Sequence, residues 1–256
     1  MNTTLPALDV QTAPAAHLPR RDCALIADWR RFLFVHYSLP PEALAPHVPY
    51  ELDLHDGRAF VSLVFFTLER MRPPFLGGVG ELLCRPISNH PFLNVRTYVT
   101  HRGRDGICFL AEWIPNRLSE RIGPRTYGLP YRFGEFDHEF RRDDGVGRLG
   151  IDDPRIGARL AVAYPITLAA DRPCEPGTTE EFLLERYRAY TFRGPARRSF
   201  RVAHEPWRIR SVDWIRANTS LIEAAFPWFK EATFHSAHLS PGVSDVEMGF
   251  PHRVEE

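Results

Sequence analysis

Strand-length runs of apolar residues follow one another along this chain with hardly a helical segment between them. Such a chain must pair its strands antiparallel and then dispose of two sheet edges, which leaves a sandwich or a barrel. Trp29 to Leu39 (WRRFLFVHYSL) is dense in aromatic and β-branched residues, as strands are. RAFVSLVFFTL (58–68) is apolar on both faces, as in a strand covered on each side, and Asp56-Gly57 before it signals a hairpin with ELDL. Leu93 to His101 and Ile107 to Ile114 follow, joined by a turn through RGRDG. Further strands are expected near Tyr131 to Phe140, Arg148 to Asp152 and Arg159 to Ile166, then at YRAYTF, SFRVAH and WRIRSVDWI. One capping box, Thr178 to Glu181, predicts a helix over 179–187 packed outside the sheet. A short amphipathic helix is expected around Asn218 to Ala225. Residues 70–92, GGVG (77–80) included, and the stretch after Ile114 read as irregular.

Length and composition fit one core. The chain has 256 residues, 44% hydrophobic and 25% charged, without an internal repeat or linker. We expect a flexible N-terminal segment over 1–22 and a single β-barrel domain over 23–256. Charge is balanced at 32 against 32, which argues against nucleic acid and anionic membrane as partners. No apolar run approaches the ~18 residues of a membrane span, and the start lacks the pattern of a signal peptide. The four scattered cysteines read as free thiols, so the expected localisation is cytoplasmic. Lys230 is the only lysine among 32 basic residues, so imine chemistry would need it or the amino terminus.

Alternation in LNVRTYVTH puts Arg96 and Tyr98 on one face. Inside a barrel Arg96 would be a fixed cation for a carboxylate; outside it would be a salt-bridged surface residue. His36 shares a face with Phe32 and Phe34 and is either a core residue or a site histidine. His204, in HEPW, sits in a proline-restricted turn beside Trp207. His235 and His238 are three apart, but no further ligands suggest a metal, and none is expected. Glu185 and Arg186 are adjacent on the expected helix, so at most one points inward. No phosphate-binding loop, nucleophile elbow or zinc-protease motif occurs.

Seven segments in order, namely the His36 strand, DGRAFVSLV, NVRTYV, YGLPYR, PGTTEEFLLERY, HEPW and HSAHLSPGV, together resemble the YqjF-like family of uncharacterised conserved bacterial proteins. That family is similar in fold to acetoacetate decarboxylase. The resemblance implies a mainly β fold: a closed antiparallel barrel, or β-cone, with a few peripheral helices and an enclosed polar site. True acetoacetate decarboxylases carry a Schiff-base lysine in Gly-Phe-Pro-Lys-Lys. The segment here that looks equivalent is Gly128 to Arg132, with Tyr131 in place of that lysine, so an imine at this place is excluded. The resemblance favours Tyr131 over Arg132 as the inward residue, as a hydrogen-bond donor, a general acid if its pKa is lowered, or a packed aromatic. Arg121 resembles a family Ala-Arg element and is either a second anion contact or a loop anchor.

The reading that follows is a cofactor-independent enzyme, lyase- or hydrolase-type, on a small oxygenated or carboxylate-bearing metabolite held in the lumen. Tyr131 and His204 would be catalytic; Arg96, Tyr98, Arg121, His36 and His235 would bind substrate. The alternative is a non-catalytic sensor or carrier, and a third reading is an assembly protein with structural polar residues. Self-association is left open.

Overall fold

The computed structural model describes residues 17–141, 145–166 and 169–254. Five strands come first: β1 (Cys23–Leu39), β2 (Glu51–Leu52), β3 (Ala59–Arg72), β4 (His90–His101) and β5 (Arg104–Ile114). Then come β6 (Tyr131–Phe133), β7 (Glu135–Arg141), β8 (Val146–Asp153), β9 (Ala158–Pro165) and β10 (Arg172–Pro173). The last are β11 (Arg188–Arg193), β12 (Ala196–Ala203), β13 (Arg208–Ser211), β14 (Arg216–Asn218), β15 (Thr233–Gly249) and β16 (His252–Arg253). The helices are α1 (Pro41–Leu44), α2 (Gly77–Cys84), α3 (Arg117–Thr126), α4 (Thr179–Leu184) and α5 (Ser220–Ala225). No helix among the described residues is long and apolar enough to cross a membrane.

The long strands close on themselves. β15, β1, β3, β4 and β5 pair antiparallel in that order. β5 meets β11 through a short parallel contact, Ile107 opposite Ala189 and Cys108 opposite Tyr190. β11 pairs with β12, and β12 returns to β15 through Val202–Met248 and Ala203–Glu247. The expected closed ring is therefore present, antiparallel except where β5 meets β11 and, as a branch, β6.

Two cores use the two faces of this ring. One draws residues from all seven ring strands, among them Phe34, Val64, Tyr98, Phe109, Ala189, Phe200 and Val246, and so lines the lumen. The other packs Leu33, Val35, Leu63 and Val95 against a second sheet, order β14-β9-β8-β7, through Leu149, Ile151, Leu160 and Val162. This second layer explains why RAFVSLVFFTL is apolar on both faces.

Several local expectations need correction. Asp56 and Gly57 both take positive φ, the type I′ geometry, and His55 bridges Arg58. The flanking strands do not form a hairpin, because β2 pairs with β4 instead. Residues 70–92 are not a bare loop: β3 runs on to Arg72 and GGVG opens α2. The stretch after Ile114 holds α3, whose N-cap Asn116 accepts from the amides of Leu118 and Ser119. The capping-box helix ends at Leu184, and it does not lie outside the ring: Leu183 and Leu184 belong to the lumen core. Of the N-terminal segment, residues 1–16 lie outside the described residues. Leu18 is buried, and its amide donates to Glu247.

Candidate functional site

Strand register lines up the inward residues in rows across the lumen. One row reads His238, Phe34, Val64, Asn94, Glu112 and Tyr131, from β15 through β1, β3, β4 and β5 to β6. The next reads Ser236, His36, Ser62, Arg96 and Phe109. Polar groups thus form a belt within an otherwise apolar interior.

A hydrogen-bond chain sets proton positions in this belt. The Tyr98 hydroxyl donates to the Leu183 carbonyl at 2.9 Å, and Arg96 Nη2 donates to the same oxygen at 3.2 Å. Ser62 Oγ lies 2.6 Å from the Tyr98 oxygen and 2.7 Å from His36 Nδ1. With the Tyr98 proton on Leu183, Ser62 donates to Tyr98, and His36 Nδ1 donates to Ser62. His36 Nε2 is then an acceptor, buried without a partner among the described residues. His238 ends in the same state. Its Nε2 donates to Glu180 Oε1 at 3.2 Å, and Arg172 holds that carboxylate bidentate at 2.7 Å. His238 Nδ1 is the buried acceptor without a partner, and the two imidazoles lie 5.4 Å apart. Burial pushes both histidines below their ordinary pKa, His36 well below, with each other's charge adding for His36. Both are neutral near pH 7.

Glu112 Oε2, Asn94 Oδ1 and Arg96 Nε are likewise buried without partners among the described residues. Burial holds the Glu112 carboxyl well above the usual range, which favours its neutral, proton-bearing form. Tyr131 stands beside it. Burial, and then Glu112, push the Tyr131 phenol well above its ordinary value. The raised value favours the neutral phenol, whose hydroxyl can donate or accept a hydrogen bond. Arg132 points the other way, 5.2 Å from the Trp113 ring of the outer core.

Arg96, Tyr98 and His36 come together in the lumen, with Tyr131 in the neighbouring row. His204 is buried among Tyr187, Trp207 and Trp29, with ring centroids 4.8, 4.9 and 6.1 Å away. Its Nδ1 donates to the Glu205 carbonyl at 2.7 Å, and burial pushes its pKa down to about 4. His235 does not reach the lumen; it is exposed at the rim, 5.2 Å from the Phe60 ring. Arg121 is exposed on α3 and lines an outer cleft together with Tyr131. Glu185 accepts from the Trp207 amide and the Tyr187 hydroxyl, and Asp53 pairs with Arg186 at 2.8 Å, so neither acid neutralises Arg96. Lys230 is exposed beside Trp228 and Phe229 of the outer core. Among the described residues no three His, Cys, Asp or Glu side chains converge as metal ligands.

Sequence reasoning missed Glu112, Ser62 and the inward His238; alternation put Asn94 on the face of Arg96 and Tyr98 without giving it a role. The available signal was a lone polar residue inside an apolar strand, as in FLAEWI and FVSLVFF.

A protein of Bacillus subtilis (strain 168) described as "Uncharacterized protein YqjF" is 29% identical over 188 residues, 72% of this chain and 74% of its own length. Acetoacetate decarboxylase from Legionella pneumophila superposes with TM-score 0.63 at 10% identity, over 96% of this chain and 93% of that one. The enduracididine biosynthesis enzyme MppR complexed with pyruvate superposes with TM-score 0.64 at 13% identity, over 97% of this chain and 93% of that one. At such identities these structures show a shared fold. The DUF2071 model, described as an uncharacterized conserved protein, matches residues 26–244 from β1 into β15, and the chain belongs to that family.

Proposed function

We propose that the lumen binds a small oxygenated or carboxylate-bearing metabolite and that the protein acts on it as a lyase- or hydrolase-type enzyme without an imine. One observation carries this reading. Arg96 is a buried cation whose Nη2 donates to the Leu183 backbone carbonyl, and no carboxylate pairs with it among the described residues. A buried charge is costly without a counter-charge, and a bound carboxylate supplies one. The complex of MppR with pyruvate, a small carboxylate in the same fold, supports the same reading.

Groups for proton transfer stand in Arg96's own register row and in the neighbouring one. His36 Nε2 offers a neutral base, and Glu112 offers a neutral acid. The presence of both an acid and a base on the lumen face favours an enzyme over a passive carrier. The two cores share the strands of one ring, which supports taking residues 23–256 as one domain. Four free thiols fit a reducing, cytoplasmic setting.

Thermal shift with pyruvate, acetoacetate and C4 dicarboxylates tests the binding. A carboxylate at a hundredfold excess over its Kd should stabilise the wild type by about 2.7 kcal/mol. Arg96→Leu should fold and show no shift. If no carboxylate shifts the wild type, or if Arg96→Leu no longer unfolds cooperatively, Arg96 is structural and the proposal falls.

A further inference from the structure

The chain carries no net charge, yet one cleft gathers arginines. It has a volume of about 700 Å³, lies between α3 and the Leu129–Tyr131 segment, and is lined by Arg117, Arg121, Arg125, Arg155 and Arg193 against one acid, Glu120. A smaller hollow of about 260 Å³ shares Arg125, Gly128 and Arg193 with it and adds Arg198. We infer that this cleft is a subsite for a phosphate-bearing group on the ligand.

The charge is not neutralised within the cleft. Glu120 is taken up by Arg155 at 2.6 Å. Arg117 stacks its guanidinium on the Phe133 ring at 3.7 Å, which fixes its plane and leaves the N–H edge for another partner. Arg125 and Arg198 are steadied by single bonds to the carbonyls of Arg121 and Thr126, with further donors to spare. The side chains of Arg121 and Arg193 make no hydrogen bond or ion pair among the described residues. Guanidinium forks match phosphate oxygens in pairs, and this much positive charge exceeds what a monocarboxylate balances. The concave shape and the neutral remainder of the chain suit a small polyanion better than a nucleic acid, which would call for an extended basic stripe.

The floor is firm and leads inward. Gly128 takes φ +75°, and Pro130 follows it. Tyr131 lines the cleft on one side and abuts Glu112 on the other. A phosphate held by Arg121 and Arg193 therefore places the next atoms of the same molecule at the Tyr131 wall of the lumen. The substrate class is a phosphorylated or pyrophosphate-linked small metabolite. Only this last step rests on the lumen reading.

Isothermal titration calorimetry of the full chain with sodium pyrophosphate tests the site. One pyrophosphate should bind per chain and bind more weakly as NaCl is raised. The Arg121→Gln/Arg193→Gln double variant should lose at least tenfold in affinity with an unchanged thermal midpoint, since neither side chain holds the fold together. Absence of binding, or equal binding by the double variant, overturns the inference. So does a single-stranded oligonucleotide that competes and binds more tightly than pyrophosphate. A chain that ignores pyrophosphate but still gains an Arg96-dependent shift with carboxylates refutes the cleft and spares the lumen.

Discussion

At the residue scale, His204 shows burial outweighing every favourable contact. Its proton-bound form is penalised in the aromatic nest, and the bond to Glu205 only partly offsets this, leaving a folded value of about 4. The unfolded histidine titrates near 6.5, so below that pH the unfolded chain takes up a proton that the folded chain refuses. Stability from His204 is present above about pH 6.5 and is lost as pH falls toward 4. His36, His90 and His238 act in the same direction. Glu112 acts oppositely, because its raised value costs stability as pH rises above the ordinary carboxyl range. A difference measurement isolates one group. His204→Phe should cost about 1 kcal/mol at pH 7.5 through the lost hydrogen bond. It should then close on the wild type as pH drops to 5. Melting curves at pH 7.5, 6 and 5 that stay parallel would sink this account. Alternation alone puts Arg96 and Tyr98 opposite Val95 and Val99 on one strand, and His36 opposite Val35 on another; that these faces meet came from the register of β1, β3 and β4.

At the element scale, α3 shows how a segment that reads as irregular becomes a helix. Gly123 and Pro124 lie inside it, and both disfavour a helix interior. What holds it is the Asn116 cap and the packing of Tyr131 across Gly123. A Cβ on Gly123 would lie 2.3 Å from Tyr131 Cε2, so only glycine lets the ring lie there. Gly123→Ala should destabilise by about 1–3 kcal/mol, as overpacking does. Combined with Tyr131→Ala, the two costs should be less than additive. A neutral Gly123→Ala, read by thermal midpoint, would show that the ring has room to move. The α4 helix teaches a related lesson. Its capping box was legible, but its place against the lumen depends on Arg96 and Tyr98 reaching the Leu183 carbonyl from 85 or more residues away.

At the scale of the whole molecule, closure of the ring decides which chemistry is within reach. Lys230, the only side-chain amine, lies outside the lumen, and the resemblance of Gly128 to Arg132 to the acetoacetate decarboxylase segment implies Tyr131 in place of that enzyme's lysine. Incubation with pyruvate or acetoacetate and borohydride should therefore leave the intact mass unchanged. A reduced adduct mapped to Lys230 or the amino terminus would refute this.

Period-two patterning and turn chemistry were enough to establish a β-rich chain, its main strands, the shared face of Arg96 and Tyr98 and that of His36 with Phe32 and Phe34, because these depend on neighbours in sequence. The family resemblance added closure. Which polar groups meet depended on register between strands far apart in the chain. Asn94 faces Glu112, and Glu112 faces Tyr131, only because the β4–β5 pairing shifts between Val95 and Arg96 and β6 adds parallel to β5. The proton positions of His36 and His238 came from tertiary structure alone. Each depends on a partner, Ser62 or Glu180, that folding delivers from another strand or helix, and on burial that keeps the ring neutral.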